Sequence, residues 1–364
     1  LDFETSPLII GKLRVTDSSG FTFEQFVVVE VIDSTFDGQF SLDDVREENG
    51  SQITSSQANS GLGAAQAFVD INGDGQSDVL TGAPQAASGQ GEAYVIFAQA
   101  DGSLPNVDVT TLNGTNGFVF VSTTNETAFG NGVAVVGDVN GGGAVDLLIS
   151  AVQTGTNAGR SFLIFGEELI AFDAADGTID GRIDLSLINS TRGYIIAGSQ
   201  ANAAQGPFGS PSQPVASLDD VSGDGVPDFA ISEASFDAGA ATDSGRVLII
   251  FGGTASFQAL DASDGATDGV LNPDNLDGTT GIRLEGASSF DGAGLAISRA
   301  GDVNEDTVSD FVIGAPGADS AGSNSGEAYL VLGGTALATL DATDGTTDGR
   351  AVLTNVNGVT GFAL

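Results

Sequence analysis

Apolar positions along this chain come in short runs broken by Gly, Asp, Asn and Ser, never in long stripes. Val79-Leu-Thr-Gly-Ala-Pro84, Leu147-Leu-Ile-Ser-Ala-Val152, Phe229-Ala-Ile-Ser-Glu-Ala234 and Phe311-Val-Ile-Gly-Ala-Pro316 are runs of one kind. After a glycine-rich stretch each is followed by a second run, beginning at Gly91, Gly159, Gly245 and Gly326 and closing at Phe97, Phe165, Phe251 and Leu332. Another run lies upstream, as in Gly117-Phe-Val-Phe-Val121, Gly193-Tyr-Ile-Ile-Ala197 and Gly281-Ile-Arg-Leu-Glu285. Short runs rich in Val, Ile and Phe and bounded by turn formers predict strands, and no helical period of useful length competes.

The pattern repeats, at about four short strands per copy, so the fold class is all-β. A four-stranded sheet cannot bury both faces alone, whereas radial stacking gives each sheet two neighbours, which predicts a β-propeller. The copies fall at 51–98, 117–166, 193–253 and 281–334, a fifth beginning at Gly361, so that 51–364 is one propeller region. A solenoid of stacked β units is the competing architecture. Residues 1–33 break the pattern. Leu13-Arg-Val-Thr-Asp17 and Val27-Val-Val-Glu-Val-Ile-Asp33 resemble the last strands of a cadherin-like β-sandwich, with 34–50 as the joint.

Between the upstream strand and the first-named run, every copy carries a nine-residue acidic segment. These begin at Asp70, Asp138, Asp220 and Asp302, spaced 68, 82 and 82 positions apart. Oxygen donors occupy positions 1, 3, 5 and 9: Asp70, Asn72, Asp74 and Asp78; Asp138, Asn140 and Asp146; Asp220, Ser222, Asp224 and Asp228; Asp302, Asn304, Asp306 and Asp310. The backbone carbonyl at position 7 (Gln76, Val226, Val308) adds a fifth donor, and glycine at position 6 permits the sharp turn. Hard oxygen ligands without nitrogen or sulfur select Ca²⁺ or Mg²⁺, and a flexible carboxylate-rich loop favours Ca²⁺. Three to four calcium sites are expected. The second loop is the doubtful one, because Gly142 removes the position-5 carboxylate; in the fourth, Thr307 replaces the turn glycine. The bland alternative is four metal-free hairpin turns. A second acidic repeat, 173–181, 261–269 and 341–349, reads as solvated Asp-Gly turns or as further ion sites.

Composition narrows the chemistry. The formal net charge is −39, and His, Cys, Met and Trp are all absent. That excludes histidine triads, thiol nucleophiles, zinc fingers and disulfide frameworks. It also argues against nucleic acid or anionic membranes as partners. No apolar run approaches the length of a membrane-spanning helix.

A Phe-Gly pair, then D-x-N-x-D-G-x-x-D, then a hydrophobic run ending Gly-Ala-Pro resembles the FG-GAP repeat of integrin α-subunit propellers and bacterial surface proteins. Phe129-Gly130 and Phe208-Gly209 keep the first element, Phe290-Asp291 half-keeps it and Leu62-Gly63 is a weaker version. Gly82-Ala-Pro84 and Gly314-Ala-Pro316 keep the last; Ser150-Ala-Val152 and Ser232-Glu-Ala234 depart from it. The resemblance implies a seven-bladed propeller with calcium in its hairpins. Four and a part copies, opening on Leu1, would then be a fragment of a larger protein. The expected role is a non-catalytic, calcium-binding adhesion or ligand-binding module at a cell surface or secreted, bacterial in type, holding a protein or glycan. The alternative is an accessory propeller of a secreted hydrolase or lyase whose catalytic part lies elsewhere.

Overall fold

The computed structural model describes residues 8–16, 22–30, 50–122, 126–153, 158–198, 200–201, 203, 214–319 and 322–364. Leu8–Thr16 and Thr22–Glu30 pair as an antiparallel hairpin, Leu8 opposite Glu30. The expected joint at 34–50 lies, Gly50 apart, outside the described residues.

From Gln66 onward the described residues build four sheets of the same design. In the first, Gln66–Val69, Asp78–Ala83, Glu92–Ile96 and Gly117–Val121 pair antiparallel in chain order. The second holds Val133–Gly137, Asp146–Gln153, Gly159–Ile164 and Gly193–Ala197. The third holds Val215–Asp219, Asp228–Glu233, Arg246–Ile250 and Gly281–Glu285, and the fourth Ala296–Gly301, Asp310–Ala315, Glu327–Val331 and Gly361–Ala363. Apolar layers separate successive sheets, and first strand contacts first strand from sheet to sheet. The result is an all-β partial propeller.

Hydrogen bonding groups the strands one strand out of phase with the sequence copies. Gly117–Val121, which seemed to open the second copy, closes the first sheet instead. Likewise Gly361–Ala363, read as the start of a fifth copy, is the fourth strand of the fourth sheet. A repeat period cannot set its own phase; pairing does. The outer strands of the first three sheets each gain a short parallel strand from the next repeat: Arg182–Asp184 on the first sheet, Val270–Leu271 on the second, Arg350–Val352 on the third. On the other face of the first sheet, Ile53, Leu104, Val107, Val109 and Leu112 cover its apolar side chains.

The second strands Asp78–Ala83 and Asp228–Glu233 are buried at every position. A strand covered on both faces has no polar side, so these runs do not alternate, and the polar residues that they carry, Asp78, Thr81, Asp228, Ser232 and Glu233, are buried with the rest.

Three short helices, absent from the sequence reading, follow the third strands: Leu169–Asp173, Thr254–Ala262 and Thr335–Asp341. Each is too short to display a period, yet each buries a pair three residues apart: Leu169 with Phe172, Phe257 with Leu260, Leu337 with Leu340. No helix among the described residues is long and apolar enough to cross a membrane.

The Phe-Gly and Gly-Ala-Pro elements meet across neighbouring sheets. Gly82 lies against Gly130, where an added Cβ would stand 1.8 Å from the Gly130 carbonyl oxygen. Gly91 forms a parallel bridge with Phe129, and Gly245 the same bridge with Ala293. Ala293-Gly294, three residues beyond Phe290-Asp291, is therefore the Phe-Gly equivalent in the fourth repeat. Phe290 itself is exposed. Phe208-Gly209 lies outside the described residues.

Candidate metal loops

Each acidic loop is the hairpin between the first and second strands of its sheet, entered through a register shift just before position 1 in the second, third and fourth sheets. All four share one backbone. Positions 4 and 6 are left-handed throughout: Gly73 and Gly75 (φ 77 and 87), Gly141 and Gly143 (77 and 93), Gly223 and Gly225 (84 and 89), Glu305 and Thr307 (63 and 73). Glu305 and Thr307 hold a conformation costing about 1–2 kcal/mol for a residue with a Cβ. Glu305→Gly and Thr307→Gly are each expected to stabilise the chain by about 1 kcal/mol, read by urea unfolding. A loss on either substitution would mean that the side chain makes a compensating contact.

The position-1 carboxylate organises the turn. Asp70 accepts from the N–H groups of Gly73 (2.7 Å), Asp74 (3.1 Å) and Gly75 (2.7 Å). Asp220 accepts from all three equivalent donors, and Asp138 and Asp302 accept from those at positions 5 and 6. Position 5 closes the tip: Asp74, Asp224 and Asp306 accept from the N–H of Gln76, Val226 and Val308 at 2.8, 2.8 and 2.9 Å. Asn72 and Asn304 reach the position-5 carboxylate through their amides, and Ser222 donates to Asp220.

The position-9 carboxylates, Asp78, Asp146, Asp228 and Asp310, are fully buried. One oxygen of each accepts the N–H of position 2, and the other an N–H just past the third strand: Ala98, Gly166, Gly252 or Gly333, at 2.8–2.9 Å. They tie the loop to the sheet. Burial pushes Asp78 above the usual carboxylate range, and pushes Asp146 and Asp228 up to about 7. Among the described residues no three acidic side chains converge as a metal-holding group.

The second loop differs in a way that its own nine residues do not reveal. Glu167, just past the third strand, fills the space that a side chain at Gly142 would take: an added Cβ would lie 2.0 Å from Glu167 Oε1. Asn140 donates to the same oxygen at 2.6 Å. The missing carboxylate is replaced from 25 residues downstream. The one sequence signal is that the corresponding segments after the third strands, at Gly252-Gly253-Thr254 and Gly333-Gly334-Thr335, carry no acid.

The inter-sheet acidic repeats are turns. Asp173, Asp261 and Asp341, at the helix ends, are buried and accept from the N–H of Gly181 (2.9 Å), Gly269 (3.1 Å) and Arg350 (2.9 Å). Asp176, Asp264 and Asp344 each cap the N–H two residues ahead.

With the geometry in place, the chain can be set beside known proteins. A model of the FG-GAP repeat matches residues 63–96 and 294–331. The chain carries FG-GAP repeats. Both matches begin at the glycine whose N–H bonds the second strand of its own sheet, Gly63 to Gly82 and Gly294 to Gly314, which agrees with the pairing of Gly245 and Ala293 and not with a start at Phe290. Integrin alpha-3 of Mus musculus is 30% identical over 117 residues, 29% of this chain and 10% of that protein. Integrin alpha-4 of Xenopus laevis is 30% identical over 109 residues, again 29% and 10%. The chain spans about a tenth of the length of these relatives.

Proposed function

We propose that this chain is a calcium-binding, non-catalytic propeller module that works outside the cell as a ligand-binding surface, preceded by a separate β module over residues 1–33. The observation that carries the calcium reading is the common loop backbone. It is kept in the fourth repeat against the preference of Glu305 and Thr307, and kept in the second with Glu167 standing in for the absent position-5 acid. The donor set is hard oxygen only, which suits Ca²⁺. Positions 1, 3 and 5 with the position-7 carbonyl would hold the ion in the first, third and fourth loops; Asp138, Asn140 and Glu167 would hold it in the second. Their turn-capping hydrogen bonds would loosen as the side chains swing to the ion. The ion would neutralise each acidic tip and brace a hairpin beside the joint between two sheets.

Thermal unfolding with Ca²⁺, with Mg²⁺ and with chelator tests this. One site filled at a hundredfold excess over its dissociation constant contributes about 2.7 kcal/mol, so calcium should raise the midpoint well above the other two conditions. Equal midpoints in all three would sink the reading. Titration then ranks the loops: Glu167→Gln, Asp138→Ala and Asp74→Ala should each lose about one calcium. Gly142→Asp should leave the count unchanged, because its side chain displaces Glu167 instead of adding to it.

A further inference from the structure

Equivalent clefts open between adjacent sheets on the side of the acidic loops, and the middle one is filled by the chain itself. Between the second and third sheets Phe257, fully buried, lies 5.6 Å from Tyr194 and 6.4 Å from Phe165. Phe165 and Tyr194 are themselves edge-to-face at 6.0 Å. Between the first and second sheets the same wall is made by Phe97 and Phe118, edge-to-face at 5.7 Å. The third ring is missing there. Leu169 occupies the place of Phe257, four residues before the buried aspartate that ends each helix segment (Asp173, Asp261).

A cleft of about 420 Å³ remains open beside Leu169. Ile170 at its rim is 71% exposed, where the other two repeats carry Gln258 and Ala338. The matching cleft between the third and fourth sheets, about 250 Å³, has Phe251 and Ile282 for walls and so lacks the ring pair.

Charge describes the rest of the occupant. Against the net charge of −39, no lysine follows Lys12. From residue 50 onward every described arginine has a partner within the chain. Arg160, Arg182, Arg246, Arg299 and Arg350 pair with acids, and Arg192 and Arg283 donate to backbone carbonyls. A basic partner is steered toward such a surface and an acidic one repelled.

We propose that the cleft between the first and second sheets takes an aromatic side chain carried on a basic segment of a partner protein, its ring completing the cluster that Phe97 and Phe118 begin. This rests on the reading of the chain as a ligand-binding module and gives that ligand its chemistry. The ring would leave water for an apolar floor and add tilted ring–ring contacts, the arrangement that Phe257 already makes one sheet along.

The probe is the peptide amide Arg-Phe-Arg, with Arg-Ala-Arg as the charge control, titrated into the calcium-saturated full chain and followed by nuclear magnetic resonance. Saturable shifts at Phe97, Phe118 and Ile170 with the first peptide and not the second are expected. Leu169→Phe should fill the cleft with the chain's own ring and weaken binding about tenfold. Ile170→Gln, at an exposed position that leaves the fold intact, should weaken it less. Equal shifts from both peptides, or unchanged affinity in Leu169→Phe, would overturn the proposal. Calcium titration of the same samples separates the two readings: peptide binding lost with calcium binding intact removes only the cleft, and the reverse removes only the metal.

Discussion

Gly82→Ala is expected to destabilise the chain by about 3 kcal/mol, near the upper end for a single overpacked methyl. The new Cβ would stand 1.8 Å from the Gly130 oxygen and 2.7 Å from its carbonyl carbon, both backbone atoms of the neighbouring sheet. No rotamer change relieves a clash between two backbones; the sheets must move apart, and the apolar layer between them opens. The same motif position in the fourth sheet, Gly314, is an internal control. Its added Cβ would meet nothing nearer than Ala296 Cβ at 3.5 Å, an ordinary contact. Gly314→Ala should therefore change stability by less than about 0.5 kcal/mol. Urea unfolding of the two variants decides it, and equal losses would mean that the glycine serves strand conformation and not inter-sheet contact.

The largest single effect is expected at Arg246. This guanidinium is buried in the third sheet, with Nε donating to Glu233, Nη1 donating to Asp274 at 2.6 Å and its plane 3.8 Å above the Phe236 ring. Glu233 is equally buried, and one of its oxygens has no hydrogen-bond partner among the described residues. Burial pushes the Glu233 carboxyl above its ordinary range, with Arg246 the force opposing that shift. Arg246→Ala should cost about 3–5 kcal/mol, because it leaves a carboxylate uncompensated in the interior. Replacing both, as Arg246→Met with Glu233→Met, should recover most of the loss, since two apolar chains carry no such penalty. The exposed pair Arg299–Asp219 provides the contrast: Arg299→Ala should shift stability by less than about 1 kcal/mol. A double variant no more stable than Arg246→Ala would refute this account of the cost.

The strands, their number per repeat and the acidic hairpins were legible because each depends on neighbours in sequence. Asp at position 1 captures the N–H groups three to five residues on, so its role is written into the loop. Thr307 was legible in the same way, as a residue forced left-handed if the loop kept its shape, and its φ of 73 is that shape. Phe290-Asp291 misled because it copies a motif by letter. What places the true equivalent, Ala293-Gly294, is the backbone bridge from Ala293 to Gly245 in the preceding sheet, which no local pattern encodes.

Position 9 shows the boundary between the two kinds of information. Sequence marks Asp78 and its three counterparts as candidate oxygen ligands of a cation. Only the folded sheet turns one oxygen toward an N–H past the third strand, making each as much a structural tie as a ligand candidate.

By itself, then, the sequence determined the all-β class, the repeat, the hairpin that carries each acidic loop and the hard-oxygen character of its donors. These follow from short-range periodicity and from turn chemistry within a few residues. Tertiary structure alone decided which strand closes each sheet, why Gly82 must be glycine, and that Glu167 makes good the gap at Gly142. Each of those depends on atoms brought together from distant segments, and such contacts leave no period in the chain.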